Sequence, residues 1–136
     1  MNGSRTPKRQ AIFTFGNIIV KEIIPWVRDN YNISTKSSES IIGEFSLGGL
    51  AAAYLGLKHS EVFGNVLSQS VSYSYCPKGY EIQCWLATQY EAIDKLPLKF
   101  YLNVGVIELK EQIIYTNVKL RNVLLKKGYT VDGEKL

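Results

Sequence analysis

Hydrophobic positions along the chain follow two alternating rhythms. Short runs rich in β-branched and aromatic residues read as strands: Ser40-Ile41-Ile42-Gly43-Glu44-Phe45, Asn65-Val66-Leu67-Ser68-Gln69-Ser70, Lys99-Phe100-Tyr101-Leu102-Asn103-Val104-Gly105, and Tyr129-Thr130-Val131. Between them lie segments with helical character. Gly48-Gly49 open a small-residue helix, Leu50 to Leu57, able to pack closely on a sheet. A second helix is predicted from about Glu81 to Ile93. A third runs from Gln112 to Lys127, with Ile113, Val118, Leu120, Val123 and Leu124 at periodic positions. Gly128 stops it, and Lys126 and Lys127 fall in its last turn.

Ahead of the first strand, Ile12, Phe15, Ile18, Ile19, Glu22, Ile23 and Trp26 fall at helical spacings, with the Ile and Phe positions on one face. Pro25 belongs in the last turn of that helix or ends it. The polar connection from Asn30 to Ser38 is too short for a domain linker. Strands alternating with helices of this length need crossover connections, hence a parallel sheet. The expected fold is α/β: about four parallel strands flanked by helices in a three-layer sandwich, as one domain over residues 1–136.

Composition narrows the function classes. At 136 residues and 46% hydrophobic content, the chain supports one modest core. A formal charge of +4 is spread along the chain, and Lys8-Arg9 after Arg5 lacks the interleaved aromatics of a stacking platform, so no nucleic-acid partner is expected. No apolar run approaches the ~20 residues of a membrane span, and MNGSRTPKRQ holds no signal-peptide stretch. The chain reads as soluble and cytoplasmic, without membrane contact. Cys76 and Cys84 match no metal spacing and read as free thiols in a reducing compartment. Neither a cofactor nor a metal ion is called for.

The chemistry centres on Ser46. A serine at a sharp strand-to-helix turn projects its Oγ above the sheet, at the N-terminal end of the helix. There the N–H of the next residue, Leu47, can help bind a developing oxyanion. The turn is crowded, so small residues are wanted two positions before and after the serine. Gly48 supplies the second, but Glu44 stands at the first, so the pattern G-x-S-x-G is incomplete. The turn is expected to strain against Glu44, whose charge would also resist oxyanion development.

The block IIGEFSLGGLAAAYLGLKHSEVFGNVLSQSVSY, from Ile41 to Tyr73, resembles the nucleophile-elbow region of enterochelin (siderophore) esterases and the related esterase D group, α/β-hydrolases that share G-x-S-x-G-G-L-A-A followed by F-G-x-V-L-S-x-S. Glu22-Ile23-Ile24-Pro25-Trp26-Val27 is similar to the family's E-L-I-P-x-V helix. Phe100 to Gly105 and Leu124 to Tyr129 are similar to its last strand-turn and helix. The resemblance implies a carboxylic ester hydrolase acting on a small ester, for instance an iron-siderophore, with Ser46 as nucleophile and Leu47 N–H as one oxyanion donor. Glu108, three residues past Gly105, stands where related hydrolases place the acid. The same position suits a structural carboxylate at a helix N-terminus, and both readings stand.

The family's base is a histidine in a loop after the final strand. The one histidine in this sequence is His59, which reads as a surface or helix-end residue. The resemblance therefore implies a partial hydrolase domain, truncated at both ends, with hydrolysis impaired or lost for want of the base. A non-catalytic module that binds a ligand or complements another chain is the alternative. A halved sheet also exposes an unpaired edge, from which self-association is expected.

Overall fold

The computed structural model describes residues 7–76 and 84–132. Four strands, β1 (Ile41–Phe45), β2 (Asn65–Gln69), β3 (Lys99–Asn103) and β4 (Thr130–Asp132), form one sheet in the order β1-β2-β3-β4. Every neighbouring pair is parallel, and Phe45, Gln69 and Asn103 lie side by side in register. Helices α3 (Ser46–Lys58), α4 (Trp85–Ala92) and α5 (Tyr115–Lys126) make the crossovers. The expected parallel α/β sheet flanked by helices is therefore present. The expected stretch of α4 before residue 84 lies outside the described residues.

Among the described residues the crossover helices share one side of the sheet. Strands laid down in sequence order wind in one direction, and right-handed crossovers then place all connecting helices on one side. Burial along the strands alternates accordingly. Val66, Ser68, Phe100 and Leu102 are buried beneath the helices, joining Leu50, Ala53, Leu86, Tyr90, Leu120 and Leu124 in one core. On the opposite face Ile41, Phe45, Gln69, Lys99, Tyr101, Thr130 and Asp132 are exposed. The described residues thus make two layers, with the second face of the sheet uncovered.

Tyr90, Phe100 and Tyr129 meet edge to face in the core, with ring centroids 5.4–6.1 Å apart. The Tyr90 hydroxyl donates to the Ala53 carbonyl at 2.6 Å, tying α4 to α3. At the end of α5, Gly128 adopts φ +77° and the Tyr129 N–H returns to the Leu124 carbonyl, which is how glycine stops this helix. The apolar stripe of α5 is shifted from its predicted position. Thr116, Asn117, Leu120 and Leu124 are buried, whereas Val118 is exposed.

The N-terminal helix also departs from its pattern. It runs as α1 (Pro7–Ile18), a π-turn over Ile19–Ile23, and α2 (Ile24–Asn30). Pro25 cannot donate the usual backbone hydrogen bond, and the widened turn ahead of it accommodates the ring without ending the helix. Contact with the body is made at Gly16, where an added Cβ would lie 2.4 Å from Leu55 Cδ2 on α3. Phe15, Ile18, Ile23 and Trp26, which fall at the helical spacings read from the sequence, are exposed. Among the described residues, no helix is long and apolar enough to cross a membrane.

Candidate active site

Parallel strands deliver all their C-terminal ends to one edge, and the candidate residues gather there. β1 ends at Phe45, which keeps an extended backbone at φ −120°. Ser46 then takes φ +52°, the left-handed region that a side-chain-bearing residue rarely adopts. This abrupt reversal turns strand into helix within one residue. It holds an exposed serine at the first turn of α3. No side chain caps that end, and the first N–H groups of a helix have no intrahelical acceptor. The Leu47 N–H is one of them, so an oxyanion at Ser46 would meet both a donor and the positive end of the helix dipole.

Close packing makes the reversal possible. A Cβ on Gly49 would lie 2.0 Å from Val71 Cγ2 and 3.2 Å from the Glu44 carbonyl, so only glycine fits where the helix leaves the sheet. The strain expected at Glu44 sits at Ser46 instead. Glu44 belongs to regular strand, and its side chain lies over Gly48, where an added Cβ would meet Glu44 Oε2 at 3.0 Å and Cβ at 3.2 Å. The absent glycine at position 44 is thus accommodated by the glycine at 48. Gly48→Ala should therefore be stabilising in a Glu44→Gly background, where helix propensity is gained freely, and neutral or destabilising in the native one. A coupling of about 1 kcal/mol in urea denaturation is expected. Additive effects would show that the two positions do not touch in solution.

Glu108 lies in the loop after β3, at the same edge as Ser46, with its side chain folded against Gly105. β2 intervenes, so the ends of β1 and β3 stand about 10 Å apart at ordinary strand spacing. Among the described residues neither Ser46 Oγ nor the Glu108 carboxylate has a hydrogen-bond partner. The serine and the acid thus share an edge without direct contact, leaving room for a group between them. His59 does not supply that group. It caps the far end of α3, about 20 Å from Ser46 at 1.5 Å rise per residue, and its Nδ1 pairs with Glu61 Oε1 at 3.2 Å.

Sequence reasoning passed over the loop after β2. Ser70 is a second non-glycine residue in the left-handed region, at φ +44°, and its N–H donates to the Asn103 carbonyl at 2.9 Å. The Ser72 N–H donates to the carbonyl of Ser46 at 3.3 Å, so this loop is tied to the peptide of Ser46 itself. Val71, fully buried, is the side chain that fills the notch at Gly49. Backbone strain at neighbouring strand ends marks a constructed site. The available signal was Asn117, a polar residue in line with Ile113, Leu120 and Leu124 on an otherwise apolar stripe.

Comparison with known proteins places this geometry. Residues 4–106 match the model of the family described as "Putative esterase". The iron(III) enterobactin esterase of Escherichia coli O6:H1 is 33% identical over 92 residues, which cover 66% of this chain and 23% of the relative. The corresponding Escherichia coli K12 protein is 32% identical over the same extent. The chain thus spans about a quarter of the curated relatives it matches. The structure of the enterobactin esterase of Shigella flexneri in the presence of 2,3-di-hydroxy-N-benzoyl-serine superposes with a TM-score of 0.74 at 28% identity, covering 89% of this chain and 32% of the other. A ferulic acid esterase of Anaeromyces mucronatus, at 16% identity and a TM-score of 0.65, shares the fold, covering 88% of this chain and 45% of the other. With three quarters of its residues matched by the family model and an enterobactin esterase superposed on its sheet, the chain belongs to the esterase family of α/β-hydrolase type.

Proposed function

We propose that Ser46 is the nucleophile of a carboxylic ester hydrolase of the enterobactin-esterase type, with a catecholate siderophore ester as its substrate class. The observation that carries this reading is the left-handed backbone of Ser46 at the strand-to-helix turn, which presents an exposed hydroxyl beside uncapped helix N–H groups. Attack on an ester carbonyl would place negative charge on its oxygen, and the Leu47 N–H would stabilise it. Glu108 has the role of orienting a protonated base. The base itself is not His59, so catalysis by these residues needs an imidazole brought from elsewhere, and the chain alone is impaired. The test is Ser46-dependent ester hydrolysis with and without added imidazole.

The unpaired edge of β1 supports a second part of the proposal. Among the described residues β1 pairs on one side only, and Ile41 and Phe45 are 66% and 68% exposed, equidistant from Gly43. Two copies pairing β1 edges antiparallel about Gly43 would place each Ile41 opposite the other copy's Phe45, a favourable cross-strand pair. Sedimentation at low micromolar concentration should show an oligomer, shifted toward monomer by Phe45→Lys. A native chain that sediments as a cooperatively unfolding monomer would overturn self-association and leave a complementary polypeptide as the partner of this edge.

A further inference from the structure

We infer that Asn117 is a positioning residue that fixes the Ser46 turn relative to the loop bearing Glu108. The inference rests on the reading of those two residues given above. Asn117 stands on α5 and is only 4% exposed. Its Nδ2 donates to the Val71 carbonyl at 2.7 Å and to the Ile113 carbonyl at 2.8 Å. One amide proton therefore serves the loop after β2, and the other the helical run that carries Asn117 itself.

The first proton reaches the nucleophile. Val71 fills the notch at Gly49, and the next residue, Ser72, donates its N–H to the Ser46 carbonyl. The second stays on the helical run that carries Asn117, four residues back, in the turn that follows the Glu108 loop. The Ile113 N–H donates to the Leu109 carbonyl at 2.8 Å, and Leu109 directly follows Glu108. One primary amide thus joins two chain segments whose candidate residues do not touch. Among the described residues its Oδ1 is buried without a hydrogen-bond partner. Turning the amide over would aim that oxygen at two carbonyls, so the observed orientation is the one with attractive contacts. A buried orphan oxygen is unfavourable, and a core built for stability alone would place an apolar residue here. Retaining the amide makes sense where a fixed spacing between two loops is needed. Ordinary aspartate, leucine or serine at this position cannot donate two protons.

Amide hydrogen exchange followed by NMR on the chain tests the clamp without requiring turnover. In the native protein both Asn117 side-chain protons should be protected, unlike those of a solvated asparagine. In Asn117→Leu the Ser72 N–H should exchange about tenfold faster, with a shifted Ser46 resonance. The Lys99 N–H, bonded to the Gly64 carbonyl at the opposite end of the sheet, should keep its native rate and serves as reference. An asparagine that only stabilises the fold would change both amides together, which would overturn the proposal. Should Asn117→Leu fail to fold, rapid exchange of either native Asn117 side-chain proton would overturn it equally. These measurements can fail while Ser46 remains the nucleophile, and they can succeed if Ser46 proves inert.

Discussion

The 136-residue chain alone should hydrolyse p-nitrophenyl acetate no faster than its Ser46→Ala variant. A serine hydroxyl is a weak nucleophile at neutral pH, and general-base assistance contributes about 10²–10⁴-fold. In this chain the sole histidine stands at the opposite end of α3 from Ser46, so His59 does not supply that contribution. The elbow is nevertheless formed, with its strained serine and its helix N–H groups in place. Free imidazole should then restore a Ser46-dependent rate, read as the difference between native and Ser46→Ala chains at each imidazole concentration. Ordinary esterase turnover without imidazole would mean that another base lies within reach. No Ser46-dependent difference at saturating imidazole would remove Ser46 from the role of nucleophile.

Alkaline pH should unfold the chain through its buried phenols. The Tyr73 hydroxyl is fully buried and pairs with Ser68 Oγ at 2.6 Å, and burial pushes its pKa well above the ordinary tyrosine range. Burial does the same for Tyr90, reinforced by the neighbouring Tyr73 and Tyr129. In the unfolded chain these phenols ionise near pH 10, while in the folded chain they keep their protons to higher pH. The unfolded state therefore binds fewer protons above pH 10. The stability present below that point is lost as pH rises toward the folded values. Two such groups remove about 2.7 kcal/mol per pH unit, enough to unfold a domain of ordinary stability within a few units. Urea midpoints between pH 9 and 12 should fall steeply, and Tyr73→Phe should flatten the slope by up to about 1.4 kcal/mol per pH unit. A slope unchanged by Tyr73→Phe would show that the phenol is not buried in solution.

Much of this architecture was legible in the residues. The strands, the glycine stop at Gly128 and the turn at Ser46 are local events, each set by a few side chains and their backbone preferences. The uncovered sheet face was not legible, because it depends on strand order rather than on any one strand. In β2 the buried positions are Val66 and Ser68 and the less buried ones Leu67 and Gln69, so the type of residue did not mark the covered face. The N-terminal helix misled for a related reason. Apolar residues such as Phe15 and Trp26 mark a face that wants cover, and periodicity cannot say whether the same chain supplies it. At the site, Ser46 was evident from its neighbours. Ser70 was not, and Asn117 showed only as a polar residue on an apolar stripe, because their roles arise from hydrogen bonds to distant backbone.

The sequential order of the strands also bears on how the sheet is assembled. Ile41 lies opposite Asn65, Asn65 opposite Lys99, and Lys99 opposite Thr130, so each new strand joins the one synthesised just before it. None of the described strands must wait for a distant partner among them, which keeps loop-closure entropy low at each of these steps. During translation β1 and β2 can pair, with α3 packed across them, before β3 has left the ribosome. The Ser46 turn, flanked by exactly these two strands, would then be among the first parts of the fold to take shape.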